Sequence, residues 1–383
     1  MSLFIQNIEL HTPEQVIPDG VVLVENGIIA GVGPRGSVLR LSAAQVIDGR
    51  GLVLAPGMID LQLNGAFGHD FTSDPAGIWT VAAGLPRYGV TAFLPTVITS
   101  PLEAPRAAME ALCQKPPAET LGALPLGLHL EGPFINPAKK GAHNPAYIRL
   151  PEPDSVRDWT LQNGVRLVTL APELPGGLEL AAQLLACGVV VSAGHSMATL
   201  EQARAAFDLG VRYGTHLFNA MPPLDHRAPG LAGALLEDSR MVAGLIADGI
   251  HVHPAMAALA WQAKGSRGLN LVTDAISALG MPPGQYHSGK QTIFVDGVSA
   301  RLADGTLAGS ILTLDQAVRN LMAFSGASLA EILPAVTSTP AWLLGLERKG
   351  RLAPGCDADL VLLSPAGQVY LTVVGGEVLY SQL

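Results

Sequence analysis

The 383-residue chain reads as an α/β protein, a (β/α)8 TIM-like barrel with a small β-sandwich domain built from both chain termini. Three observations point there. Eight short apolar runs recur through the middle of the chain, several of them separated by Ala- and Leu-rich stretches of helical character. Both ends carry short, turn-punctuated β patterns instead. No convincing glycine-rich phosphate loop follows an early strand, as an open doubly wound sheet would require.

The N-terminal segment holds a hairpin signal. Val21 to Val24, then Asn26-Gly27, then Ile28-Ile29 suit a type I′ turn, because Asn-Gly accepts two positive φ angles. Residues 359–363, 369–374 and 377–380 repeat the pattern at the other end, with Gly375-Gly376 as the turn. Residues 1–55 plus 347–383 are therefore expected to form the small sheet domain, and 56–346 the barrel. Barrel strands are expected over 58–64, 90–95, 124–130, 165–170, 189–193, 213–216, 242–247 and 269–273. Helical patterns over 178–187 and 199–209 fall between them. The second follows Ser196 to Thr199, a capping stretch, and carries Glu201 in its first turn.

Composition narrows the function classes. Hydrophobic residues make up 49% and charged ones 14%, ample for a large core. The 43 glycines and 29 prolines are spread between apolar runs, which indicates turns and not disorder. Net charge is −9 with no basic stripe, so nucleic acid is not an expected partner. An anionic substrate would have to be drawn by a few local cations. Cys113, Cys187 and Cys356 are far apart and lack metal-type spacing, which fits a reduced, cytoplasmic setting. No signal peptide is expected from the N-terminal residues. The longest apolar stretch, 184–193, is broken by Gly188 and too short to span a bilayer, so no membrane is expected.

In such a barrel, chemistry gathers at the C-terminal strand ends. Those ends carry Gln62, Asn64, Glu131, His195, His216, Asp248, His251 and Asp274. A single strand-end histidine is usually a hydrogen-bonded structural residue. Glu131, His195 and His216 share one placement, however, and together form a divalent-metal set with room for a water. Asp274 could cap the next helix, but its position after the last strand favours a functional role. His251 is placed for the site, whereas the neighbouring His253 belongs to the surface. His143 and Asn144 lie in a Gly- and Pro-bounded loop that either closes over substrate or is merely solvated. Arg227 follows in a proline-containing loop and suits either a bidentate anion contact or plain solvent exposure. His11, His69, His226 and His287 receive no role.

The segments HLEGPFINPAKKGAHNP, LVTLAPE, VSAGHS, GTHLFNAMPPL, IADGIHVHP, LVTDA and DGTLAGS resemble the N-acetylglucosamine-6-phosphate deacetylases of the amidohydrolase superfamily. The likeness runs from PGMIDLQLNG to GRLAPGCDADLVLL, nearly the whole chain. It implies a homodimeric enzyme that hydrolyses the acetamide of N-acetyl-D-glucosamine 6-phosphate. Residue by residue it implies Glu131, His195 and His216 as metal ligands and Asp274 as catalytic acid/base. It implies substrate contacts from Ala142, His143, Asn219, Ala220, Asp248, His251, Leu307, Ala308 and Gly309. Arg227 would meet the 6-phosphate, within its own subunit or from the neighbouring one.

The chain departs from the wider superfamily in one place. Many members carry His-x-His after the first strand, where Gln62-Leu-Asn64 stands here, and no lysine ends the fourth strand. Amides are poor transition-metal ligands beside imidazole, so one divalent ion per subunit, zinc, is expected. Two alternatives stay open. One is deacetylation of N-acetylgalactosamine 6-phosphate, and the other a non-catalytic sugar-phosphate-binding regulator on the same fold.

Overall fold

The computed structural model describes residues 2–12, 15–114 and 121–383, so residues 1, 13 and 14 of the expected sheet domain lie outside it. Among the described residues, eight parallel strands form the barrel. They are β1 (Met58–Leu63), β2 (Val90–Ile98), β3 (Leu128–Glu131), β4 (Val165–Leu170), β5 (Val190–Ala193), β6 (Tyr213–Gly214), β7 (Val242–Leu245) and β8 (Leu269–Leu271). Each pairs with the next in chain order. The β8–β1 seam has no regular ladder. A bridge between Leu63 and Ala275 and an Asp274 N–H donated to Gln62 O at 2.8 Å draw it nearly closed.

These strands are near-continuous apolar runs because both faces are covered, and β1 and β7 are buried throughout. The third expected strand is interrupted. Gly127 adopts φ +129°, so Leu124–Pro125 makes its own short pair with β2 before β3 begins.

Helices pack outside the strands where their apolar faces allow it. In Leu200–Leu209, Thr199 accepts the Gln202 N–H while Gln202 reaches back to the Thr199 N–H, a capping box that starts the helix. Ala203, Ala206 and Phe207 then share the buried face.

Strict alternation fails at the third crossover. Between β3 and β4 only the 3-10 turns Pro137–Lys139, Pro145–Tyr147 and Pro153–Val156 appear. Pro133, Pro137, Pro145, Pro151 and Pro153 remove N–H donors too often for an α-helix to propagate. The loop that replaces the helix is the one carrying His143.

A separate eight-stranded sheet draws on both chain ends. Its order is Glu377–Ser381, Val369–Val374, Leu360–Leu363, Val53–Pro56, Ser2–His11, Val16–Glu25, Ile28–Pro34, with Gln45–Asp48 alongside Ser2–His11. The hairpin turn forms as expected, with Asn26 at φ +51° and Gly27 at +79°. Leu360 and Leu362 join the sheet's own core with Leu3, Ile5, Leu10 and Leu54. The alternating Val361 and Leu363 join the barrel core instead, which locks the two bodies together.

A three-stranded antiparallel insert, Gly284–Ser288, Gln291–Val295 and Ala300–Arg301, follows β8. The sequence reading has no counterpart for it. Among the described residues no single helix is long and apolar enough to cross a membrane.

At the foot of the barrel, buried Tyr213 donates its hydroxyl to Asn270 Oδ1 at 3.0 Å. Tyr213→Phe should leave that oxygen unpaired and cost about 1–3 kcal/mol. The denaturation midpoint is expected to fall while metal content is unchanged; an unaltered midpoint would show the bond to be dispensable.

Candidate active site

Glu131, His195 and His216 stand at the exits of β3, β5 and β6, and all three are buried. His195 Nε2 and His216 Nε2 lie 3.2 and 3.1 Å from Glu131 Oε1, and 3.0 Å from each other. One ligand atom from each residue falls within 4.8 Å of the others.

The second nitrogen of His195 decides what this cluster is for. Nδ1 is 2.8 Å from Lys139 O, a carbonyl that can only accept, so Nδ1 carries the hydrogen. In the neutral ring Nε2 then presents a lone pair toward the carboxylate and the other imidazole. Converging lone pairs in a buried site repel unless a cation sits among them, and that second-nitrogen bond is how metal-binding histidines are oriented. The donor set therefore fits a divalent metal. Burial pushes the Glu131 carboxyl up, yet the two imidazoles beside it outweigh this and hold it well below its ordinary range. For His216 burial works downward, but Glu131 prevails and raises it. Glu131 is thus held ionised beside the two imidazoles.

Asp274 follows β8 and meets the cluster from the other side. Its Oδ1 accepts from Asn64 Nδ2 at 2.6 Å and from Gln62 Nε2 at 3.2 Å. Gln62 Nε2 also donates to Glu131 Oε1 at 3.0 Å, so one amide ties the two carboxylates together. Burial, with the charge of Glu131, pushes Asp274 up to about 6. His195, His216 and Asp274 all take left-handed backbone angles, at φ +49°, +32° and +47°. Gly309 matters for the same reason: it has φ +62°, and a Cβ there would come within 2.7 Å of Asp274 O.

A cleft of about 390 Å³ opens over these groups, within the size range of small-molecule sites. It brings together Glu131, His195, His216 and Asp274 with the expected Ala142, His143, Asn219, Ala220, His251, Leu307, Ala308 and Gly309. His143 is buried, with Nδ1 2.7 Å from Thr99 Oγ1 and Nε2 3.7 Å from Glu131 Oε2. Burial, reinforced by the neighbouring imidazole of His195, lowers its pKa to about 3, so the ring is neutral near pH 7.

Two expected residues lie elsewhere. Asp248 does not line the cleft but accepts from His251 Nδ1 at 2.7 Å and so turns the ring's other nitrogen outward. Burial raises Asp248, but His251 overrides this and keeps it lowered. Arg227 is exposed, in a turn where Asp225 Oδ1 accepts its N–H at 2.8 Å, outside its own chain's cleft. His253 is a helix N-cap, accepting from Ala255 N–H at 3.2 Å.

The sequence reading missed Thr99 and the Lys139 carbonyl, because a backbone acceptor leaves no residue-type signal. It also missed the wall built by the insert, where Gln291 Nε2 donates to Ala142 O at 2.5 Å. The alternation in Gln291–Val295 is the one cue that could have revealed that wall.

The sequence profile of the amidohydrolase family matches residues 53–379. This chain belongs to the amidohydrolase family. Within that family it is 44% identical over 349 residues to the N-acetylglucosamine-6-phosphate deacetylase of Homo sapiens, covering 87% of this chain and 85% of that one. The solved N-acetylglucosamine-6-phosphate deacetylase from Pasteurella multocida superposes with a TM-score of 0.92 at 31% identity, covering 99% of both chains. A mutant of the Mycobacterium smegmatis enzyme of the same name, in complex with N-acetyl-D-glucosamine-6-phosphate, gives a TM-score of 0.89 at 33% identity. That alignment covers 99% of this chain and 100% of the other.

Glu131 is the sole carboxylate in the three-residue set. Glu131→Ala should therefore abolish metal retention, and turnover with it. Elemental analysis of the purified variant checks this, and a full complement of metal would remove Glu131 from the ligand set.

Proposed function

We propose that this chain hydrolyses the acetamide of N-acetyl-D-glucosamine 6-phosphate to D-glucosamine 6-phosphate and acetate. The observation that carries the proposal is the meeting of Glu131, His195 and His216 with Asp274 across one cleft of sugar-phosphate size. The relatives' shared name supports the gluco epimer over N-acetylgalactosamine 6-phosphate. A sugar-binding regulator would have no use for a buried ligand set facing a positioned carboxylate.

Glu131, His195 and His216, two imidazoles and one carboxylate, would hold one zinc ion per subunit. Such an ion supplies Lewis acidity, polarising a carbonyl and bringing a water's pKa toward about 7. Asp274 takes the proton of the attacking water through the oxygen that Asn64 and Gln62 leave free. His143 steadies the developing oxyanion from Nε2. That role needs hydrogen on Nε2, and so requires the Thr99 hydroxyl to donate to Nδ1 at 2.7 Å and release Glu131 O at 3.2 Å. Asp274 then returns its proton to the departing nitrogen. His251, held by Asp248, accepts from a sugar hydroxyl, while the backbone of Ala142, Asn219 and Ala220 and the Leu307 to Gly309 segment embrace the ring.

Arg227 would meet the 6-phosphate of the neighbouring subunit in a homodimer, since it does not face its own cleft. Three free cysteines suit a cytoplasmic protein. The catalytic barrel would span 56–346, with 1–55 and 347–383 as the sheet domain.

Acetate release from both 6-phosphorylated N-acetylhexosamines, with protein of known metal content, tests the reaction. Release from the gluco substrate is expected to dominate, and no release from either would overturn the proposal. Asp274→Asn should keep its metal yet lose turnover by roughly 100- to 10,000-fold, the usual weight of general acid–base catalysis. Only ionised Asp274 accepts a proton, so the rate should climb with pH on the acid side. Its midpoint should lie at or below about 6, because a bound cation favours the carboxylate. A rate that falls across that range would contradict the base assignment.

A further inference from the structure

Asn64 is more than a prop for Asp274. Its NH2 is committed, because the partner at 2.6 Å is a carboxylate oxygen that also receives Gln62 Nε2 and can only accept when ionised. That fixes the orientation of the amide and leaves Asn64 Oδ1 as an acceptor. The residue is 4% exposed and lines the cleft, yet Oδ1 has no hydrogen-bond partner among the described residues. Its backbone cannot turn away. Asn64 N–H donates to Ala275 O at 2.8 Å, and Asn64 O accepts from Phe71 N–H at 3.0 Å. A buried polar atom without a partner is costly, and Oδ1, itself buried, belongs to a cleft-wall residue beside Asp274, where a ligand donor would satisfy it.

The substrate chemistry supplies one such donor. Resting on the deacetylase reading above, the scissile nitrogen must come within reach of Asp274, which protonates it, and that nitrogen carries a single N–H. We propose that Asn64 is a catalytic residue whose Oδ1 accepts the N–H of the scissile acetamide. Water's oxygen bonds to the carbonyl carbon and its proton passes to Asp274. The C–N bond then breaks as Asp274 gives that proton to nitrogen, leaving the amine and acetic acid, whose remaining proton is lost to give acetate. As the nitrogen pyramidalises and gains positive charge, its N–H becomes a charge-assisted donor, so the bond to Asn64 strengthens toward the transition state. Asn64 thereby distinguishes an amide from an ester of the same shape.

The test compares the N-acetyl substrate with its oxygen analogue, the 2-O-acetyl ester of glucose 6-phosphate, which lacks the N–H. Asn64→Leu loses both the hold on Asp274, which affects either substrate, and the N–H contact, which affects only the amide. With metal content confirmed, kcat on the amide should fall roughly 10- to 100-fold further than kcat on the ester, the range of a buried N–H left unpaired. Asn64→Asp keeps an acceptor and should preserve the wild-type amide-to-ester ratio even where both rates drop. Asn64→Ala replaces the Leu variant if that protein does not fold. Equal losses on both substrates, or no loss, would overturn the proposal. Wild-type protein that releases no acetate from the amide would instead refute the deacetylase reading itself.

Discussion

The structure turns on three atoms of metal-ligating type crowded together in a buried site. Glu131 Oε1, His195 Nε2 and His216 Nε2 crowd within 3.0 to 3.2 Å of one another, and the Lys139 carbonyl holds the hydrogen of His195 on its far nitrogen. A proton could be shared among these atoms only in part, and burial removes the solvent that would otherwise screen them. A divalent cation satisfies all three at once. The surrounding carboxylate, Asp274, is then poised by burial and by the charge of Glu131 so that it can both take and return a proton.

Bringing these atoms together has a conformational cost. His195, His216 and Asp274 each sit at positive φ directly after a barrel strand, at about 1–3 kcal/mol apiece. Such angles persist only where neighbours over-determine them. Here the strands just before His195 and His216 are laddered on both sides, and Ser310 N–H donates to Asp274 O at 2.8 Å. The same strain explains why the ligands leave the strand direction and turn inward over the barrel mouth.

Much of this was legible in the sequence, for identifiable reasons. The eight strands announced themselves because buried parallel strands must be continuously apolar, and the 26–27 turn because Asn-Gly tolerates positive φ. Glu131, His195, His216 and Asp274 stood out as polar residues at the ends of such runs. What stayed hidden depends on backbone atoms or on distant pairing. The Lys139 carbonyl carries no residue-type signature, and Thr99 looks like any strand-end threonine. The third crossover reads as a Gly- and Pro-bounded loop around His143 and Asn144, and its prolines do keep a helix from forming there. Gln62 and Asn64 could be seen as missing metal ligands, but not as the pair that grips Asp274 across more than 200 residues of sequence.

That grip depends in turn on the one place where the barrel lacks a ladder. At the β8–β1 seam a few backbone bonds take the place of a ladder, and a buried acid adds to the joining. Asp60 accepts from Thr273 Oγ1 at 2.6 Å, from Thr273 N–H at 3.3 Å and from Gln62 N–H at 3.2 Å. Burial pushes its carboxyl up to about 7 despite those donors, so the seam tolerates a group that solvent would readily ionise. Thr273 immediately precedes Asp274, and Gln62 touches both Asp274 and Glu131. The position of Asp274 relative to Glu131 is therefore set by side chains at the seam together with the few backbone bonds that cross it. In a barrel fully laddered there, the backbone beyond Asp274 would be held in strand register as well, and the inward turn at Asp274 would be harder to reach.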